Sequence, residues 1–162
     1  MVFVSDSSYQ DCPDTGISTG AYIIFYQGGP IEHSTHVTVP VSQSSAESNY
    51  NLACTSVMAL SHSIMLIHEL LNKYPDIVTE EEPLIILDSK SAVCMDNNGK
   101  DTNHTRHIAI RFKFVRNGGK WTLHKIDWCE GGLQLVDIVT KNIGYNGLNP
   151  IMKYIMVRLD NW

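Results

Sequence analysis

The chain has 162 residues, with 12 Lys+Arg against 17 Asp+Glu, a formal net charge of −5, 43% hydrophobic and 18% charged residues. That is one domain's worth of chain, able to bury a single core and too hydrophobic to be disordered. No apolar run approaches the roughly 18 residues of a membrane span, and residues 1–8 lack the basic and apolar stretches of a secretory signal. Cys12, Cys54, Cys94 and Cys129 form no C-x-x-C pair and no zinc spacing. The expectation is a soluble, intracellular protein with reduced thiols and no membrane partner.

Taken alone, the acidic balance argues against nucleic acid. Its placement argues otherwise. The first 72 residues contain no Lys or Arg, whereas Lys100, Arg106, Arg111, Lys113, Arg116 and Lys120 cluster within a short stretch, with His104 and His107 among them and only Asp101 opposing. The stretch reads either as a solvated helix face or as a phosphate-binding patch, because counterion release depends on local charge.

In chain order, residues 1–6 (M-V-F-V-S-D) predict a short strand ending on a carboxylate, followed by a polar loop over 7–20. Residues 21–26 (A-Y-I-I-F-Y) and 31–39 predict two more strands around a turn at 27–30, giving an antiparallel meander. A long helix follows, because Tyr50, Ala53, Val57, Leu60, Ile64, Ile67 and Leu71 recur at steps of three and four. Ser44 with Glu47 three residues on is a capping-box pattern, which starts the helix near Ser44 or Ser45.

Residues 84–87 (L-I-I-L) read as a buried strand ending at Asp88. A short helix over 89–95, a basic helix over 105–116, a fifth strand over 121–128 and helices over 135–140 and 150–159 complete the chain. No internal repeat or linker divides it. The expected fold class is α/β: a five-stranded mixed sheet, three antiparallel strands and then two more, flanked by helices. A single domain is expected over 1–162, with its core in 1–141 and a helical tail in 142–162.

Four carboxylates stand where structure alone does not ask for them. Asp6 and Asp88 close strands, Glu47 extends the inward face of the long helix, and Asp137 sits among Leu135, Val136, Ile138 and Val139. Each has a plainer reading: Asp6 as a turn residue, Glu47 as the far half of a capping box, Asp88 as a helix cap. Asp137 is the hardest to assign so, since an Asp there loses helix propensity and hydration. Carboxylates gathered in one place repel, and divalent cations relieve this. Oxygen-rich sites suit Mg²⁺ or Mn²⁺, and two ions about 4 Å apart can clamp an in-line phosphoryl transfer.

These residues fall in six ordered motifs that resemble the ribonuclease H domain of copia-type LTR retrotransposon polyproteins. Ser5-Asp6-Ser7-Ser8-Tyr9 resembles the first catalytic motif, and Gly28-Gly29-Pro30-Ile31 the hairpin after it. Ser44-Ser45-Ala46-Glu47 with Tyr50 is similar to S-S-T-E-A-E-Y, and Leu87-Asp88-Ser89-Lys90-Ser91-Ala92 to D-N/S-x-S-A. Residues 105–112 (T-R-H-I-A-I-R-F) resemble T-K-H-I-D-I-R-Y, and residues 134–141 (Q-L-V-D-I-V-T-K) the distinctive Q-L-A-D-I-F-T-K.

The resemblance implies a ribonuclease H-like fold and hydrolysis of the RNA strand of RNA–DNA hybrids by two Mg²⁺, with Mn²⁺ as a substitute, leaving 5′-phosphate ends. It implies Asp6, Glu47, Asp88 and Asp137 as metal ligands: Asp6 bridges the ions, Glu47 serves the leaving-group ion and Asp137 the ion that activates water. Ser7, Ser8, Ser89, Lys90, Arg106, His107 and Arg111 fall in the motifs expected to meet substrate. A polymerase domain of the same polyprotein is the implied partner, and the cytoplasm, within virus-like particles of the element, the implied location.

The chain also departs from the family. Residues 128–134 lack the mobile His of cellular ribonucleases H, which leaves His124 and Glu130 as outside candidates. Ser34-Thr35-His36-Val37 stands where copia-type domains often carry Lys, and Asn49 replaces the second Glu of the motif. A catalytically silent ribonuclease H-like interaction module is the alternative reading. A zinc site from His33, His36, His104 and His107 has no supporting Cys/His spacing.

Overall fold

The computed structural model describes residues 1–9, 14–38, 44–74, 83–90, 93–94, 125–131, 134–140, 144–148 and 152. Within them lie β1 (Val2–Ser8), β2 (Ser18–Tyr26), β3 (Gly29–Thr38), α1 (Ser45–Lys73), β4 (Leu84–Leu87), β5 (Lys125–Trp128) and a short α2 (Asp137–Thr140). The strands form one sheet in the order β3-β2-β1-β4-β5. β1, β2 and β3 pair antiparallel, while β4 pairs parallel to β1 and to β5. This is the expected mixed sheet, with the first strand at its centre.

Two boundaries differ from the sequence reading. β1 continues past Asp6 to Ser8 and β2 begins at Ser18, because Ser7 pairs with Gly20 and Ser8 with Thr19. Polar residues of weak strand propensity are carried into the ladder by their partners. The following turn is tighter than residues 27–30: Gln27 (φ 53°) and Gly28 (φ 81°) alone form it, with Tyr26 opposite Gly29. Two successive positive φ values match the right-handed twist of the flanking strands. The predicted helix over 105–116, residues 121–124 of the fifth strand and most of the terminal helix lie outside the described residues.

The sheet buries both faces. Alternation along β1 sends Phe3 to one side, where it packs with Tyr22, Ile24, Ile85, Leu87 and the α1 residues Tyr50, Ala53, Val57 and Leu60. Val4 goes to the other side and joins Ala21, Ile23, Phe25 and Val136. Ile85 and Leu87 are almost fully buried, as an uninterrupted apolar strand beside the central one should be.

Helix α1 begins where the capping pattern places it: Ser44 is extended (φ −155°, ψ 161°) and its Oγ accepts the Glu47 N–H at 3.1 Å. Over Glu47–Lys73 this helix is long and apolar enough to cross a membrane by length and composition, which corrects the expectation that no segment reaches that threshold. Its N-terminal half supplies Tyr50, Leu52, Ala53, Val57 and Leu60 to the core. Met58 is exposed near its middle, and its C-terminal half exposes Met65, Leu66 and Leu70. A groove of about 460 Å³ runs there between α1 and β3, lined by Ile31, Glu32, Leu66, Leu70 and Tyr74.

Candidate functional site

The period-two alternation of β1 also sorts its polar end. Ser7 faces α1, where its Oγ is hydrogen-bonded to Ser48 Oγ and its N–H donates to Asn49 Oδ1 at 3.2 Å. Asn49 Nδ2 donates in turn to Ser45 O. The start of α1 is thus clamped to β1 through Ser48 and Asn49, and the clamp holds Glu47 beside the strand end with 7% of its surface exposed. Asn49, a departure from the family pattern, has a structural function here that a carboxylate could not perform with Nδ2.

Asp6 points to the opposite face and is 2% exposed. Thr140 Oγ1, at the end of α2, donates to Asp6 Oδ2 at 3.0 Å. Asp137 opens α2, and Asp88 follows β4 directly. The loop after β5 brings Cys129 among them: the Cys129 N–H donates to Leu87 O at 2.9 Å, continuing the β4–β5 pairing. The Cys129 thiol is pushed above its ordinary range by burial first and then by the negative charge of Asp88, Asp137, Asp6 and Asp127. Asp6 on β1, Asp88 directly after the neighbouring β4 and Asp137 on α2 thus lie toward one end of the sheet, and Glu47 is held at the start of α1.

The donor chemistry fits a hard divalent cation, being carboxylate oxygen throughout. The carboxylates are gathered rather than closed: among the described residues no group of three or more His, Cys, Asp or Glu side chains is set to hold a metal ion. Mutual repulsion keeps like charges apart, and Asp6 is engaged by Thr140.

No family model matches the sequence. Two curated proteins do: the retrovirus-related Pol polyproteins from transposons RE2 and RE1 of Arabidopsis thaliana, 26% and 28% identical over 137 residues. Those residues are 85% of this chain and 9% of each relative. Among solved structures, RNase H1 from Halobacterium salinarum NRC-1 superposes with a TM-score of 0.57 at 11% identity, covering 92% of this chain and 97% of that one. The fold is that of ribonuclease H.

Two further structures agree. The N-terminal RNase H domain of rv2228c from Mycobacterium tuberculosis gives a TM-score of 0.52 at 9% identity, covering 94% of this chain and 95% of that one. LC11-RNase H1, solved in complex with an RNA/DNA hybrid, gives 0.55 at 10% identity, covering 82% and 87%. Sequence and fold together support a ribonuclease H domain of a retrotransposon polyprotein.

Within this ribonuclease H fold, Ser7 is engaged by α1, and Ser8 Oγ donates to Thr19 O at 3.3 Å. Lys90 Nζ lies 4.0 Å from the centre of the Trp128 ring, whose indole N–H donates to Asp88 O at 2.9 Å. Lys90 is therefore held over Trp128 by a cation–π contact, two residues beyond Asp88. The Ser89 carbonyl accepts the Val93 N–H at 3.1 Å, which starts a helical turn. Glu130 is exposed in the loop after β5. Arg106, His107, Arg111 and His124 lie outside the described residues.

The sequence reading gave no role to Trp128, Cys129, Gln134 or Thr140. A signal was present for the last two. Gln134 and Thr140 flank Asp137 at three residues on either side in an otherwise apolar segment.

Proposed function

We propose that this chain is a metal-dependent endoribonuclease that cleaves the RNA strand of RNA–DNA hybrids, as the ribonuclease H domain of a copia-type retrotransposon polyprotein. The placement of Asp6 on β1, Asp88 directly after the paired β4, Asp137 on the α2 whose Thr140 bonds Asp6, and Glu47 at the α1 start bonded to Ser7 through its neighbours carries this reading. Those four carboxylates would hold two Mg²⁺, or Mn²⁺ in their place. When bound, the ions would lower the pKa of an attacking water and neutralise charge developing on the phosphate. The chain's own residues prepare the site: Thr140 holds the Asp6 carboxylate, Asn49 and Ser48 fix the strand end against α1, and Trp128, bonded to Asp88 O, holds Lys90 over its ring. A ribonucleotide strand would be selected by contacts to its 2′-hydroxyls across the minor groove. A polymerase domain of the same polyprotein would contribute further hybrid-binding surface, and cytoplasmic particles of the element would be the place of action.

An end-labelled RNA–DNA hybrid incubated with Mg²⁺ or Mn²⁺ tests the proposal. The parent should cut the RNA strand, and Asp88→Asn and Asp137→Asn should each lose at least a hundredfold in rate while staying folded. Cleavage by either variant at the parent rate overturns the assignment.

A second reading is a silent interaction module, favoured by the lack of a closed metal-holding group among the described residues. Thermal melts separate the two. A competent site gains stability with millimolar Mg²⁺ or Mn²⁺, and a silent module does not.

A further inference from the structure

Helix α2 carries Asp137 but has only four residues, Asp137–Thr140. A single turn cannot hold itself in place, since helix nucleation is unfavourable without tertiary support. Val136 gives it a fully buried apolar anchor. An apolar anchor fixes depth but not rotation, so the aim of Asp137 relative to Asp6 needs directional bonds.

Two such bonds bracket Asp137, and both end on β1. Gln134 is fully buried, and its Nε2 donates to Ser5 O at 2.9 Å. A carbonyl can only accept, so the amide orientation is fixed, and Oε1 is turned toward the Cys129 thiol at 3.8 Å. On the other side, Thr140 Oγ1 lies 3.0 Å from Asp6 Oδ2 and 3.4 Å from Val136 O. Val136 O already accepts the N–H groups of Val139 and Thr140 at 2.9 and 3.2 Å. The single hydroxyl proton therefore goes to the carboxylate, the nearer and charged acceptor.

We propose that Thr140 and Gln134 are positioning residues for the carboxylate site, Thr140 by orienting the Asp6 carboxylate and Gln134 by locking the Asp137 segment to the strand that carries Asp6. The terminal torsion of an Asp is broad, so a buried carboxylate with one oxygen held by a hydroxyl has its plane set before any cation arrives. A pre-set plane lowers the ordering a cation must impose, and its loss should appear in metal affinity more than in the rate at saturating metal. This inference rests on the function proposed above.

The test is Mn²⁺ binding, followed by the electron paramagnetic resonance of free Mn²⁺, alongside cleavage as a function of Mg²⁺. Thr140→Val keeps the shape and removes the donor. It should bind Mn²⁺ about tenfold more weakly and raise the half-saturating Mg²⁺ by a similar factor, with the rate at saturating Mg²⁺ within about threefold of the parent. Thr140→Ser restores the hydroxyl and should restore affinity, a rescue that a packing role would not give. Parent-like Mn²⁺ affinity in folded Thr140→Val overturns the inference. If Thr140→Val does not fold, Gln134→Met decides instead, and is expected to weaken Mn²⁺ binding in the same direction. Asp6→Asn separates the two levels. If Asp6→Asn itself binds Mn²⁺ and cleaves like the parent, the proposed function fails; if only the Thr140 and Gln134 variants behave like the parent, the positioning inference fails alone.

Discussion

Glu32 accepts two hydroxyl hydrogen bonds away from the carboxylate site, from Tyr22 at 2.8 Å and from Ser63 at 2.7 Å, and so ties β3 to β2 and to α1. Burial and the Glu32 charge push the Tyr22 pKa up to about 12. The unfolded chain ionises this phenol near its ordinary value of about 10 while the folded chain keeps it neutral. The stabilising effect of the neutral Tyr22 is full below pH 10 and is lost as the pH rises toward 12. Urea midpoints across that window should fall for the parent and fall less for Tyr22→Phe; parallel curves would remove Tyr22 as the cause. Little of this was legible in the sequence, since a strand Tyr and Glu ten residues apart become partners only through the register of β2 and β3. Asp88 was legible because it stands directly after an apolar strand, and Asp6 because a carboxylate follows the apolar start of β1, although β1 continues past it to Ser8. Thr140 stood out only as a polar residue beside Asp137, because its partner lies 134 residues away.

At the scale of elements, the β2–β3 hairpin offers the sharpest local test. Gly28 has a φ of 81°, and a Cβ added there would meet nothing within 4 Å. Gly28→Ala should still destabilise the fold by about 1 kcal/mol, because the strain lies in the backbone alone. A chemical-denaturation midpoint unchanged from the parent would count against this turn geometry. The start of α1 could be read from Ser44 and Glu47, since capping chemistry is local. The end of β1 and the start of β2 could not, because Ser7, Ser8, Ser18 and Thr19 become strand through partners in other strands: Gly20, Thr19, Thr38 and Ser8. The apolar stripe of α1 was read correctly where Tyr50, Ala53, Val57 and Leu60 meet the sheet. Further along, the stripe faces the open groove, a difference that periodicity alone does not carry.

For the whole molecule, a net charge of −5 coexists with half of the basic residues gathered between Lys100 and Lys120. Hybrid binding by this chain should therefore be weak and strongly dependent on salt. Arg106→Gln and Arg111→Gln should each reduce the slope of log affinity against log salt by about 1 if each side chain meets one phosphate. An unchanged slope in both would assign those residues to a solvated face instead. The same global view explains the central position of β1, which receives Asn49 and Ser48 from one side and Gln134 and Thr140 from the other.

That central strand is synthesised well before the residues of α2 that complete the carboxylate set. Thr140 follows Asp6 by 134 residues, which at ribosomal elongation speeds is a delay of roughly 7 to 27 seconds. Through that interval the meander, α1 and β4 can form with Asp6, Glu47 and Asp88 in hand, while Asp137 and its two fastenings do not yet exist. Until then the carboxylate set of a nascent chain of this fold is incomplete, and that delay is built into the order of its elements.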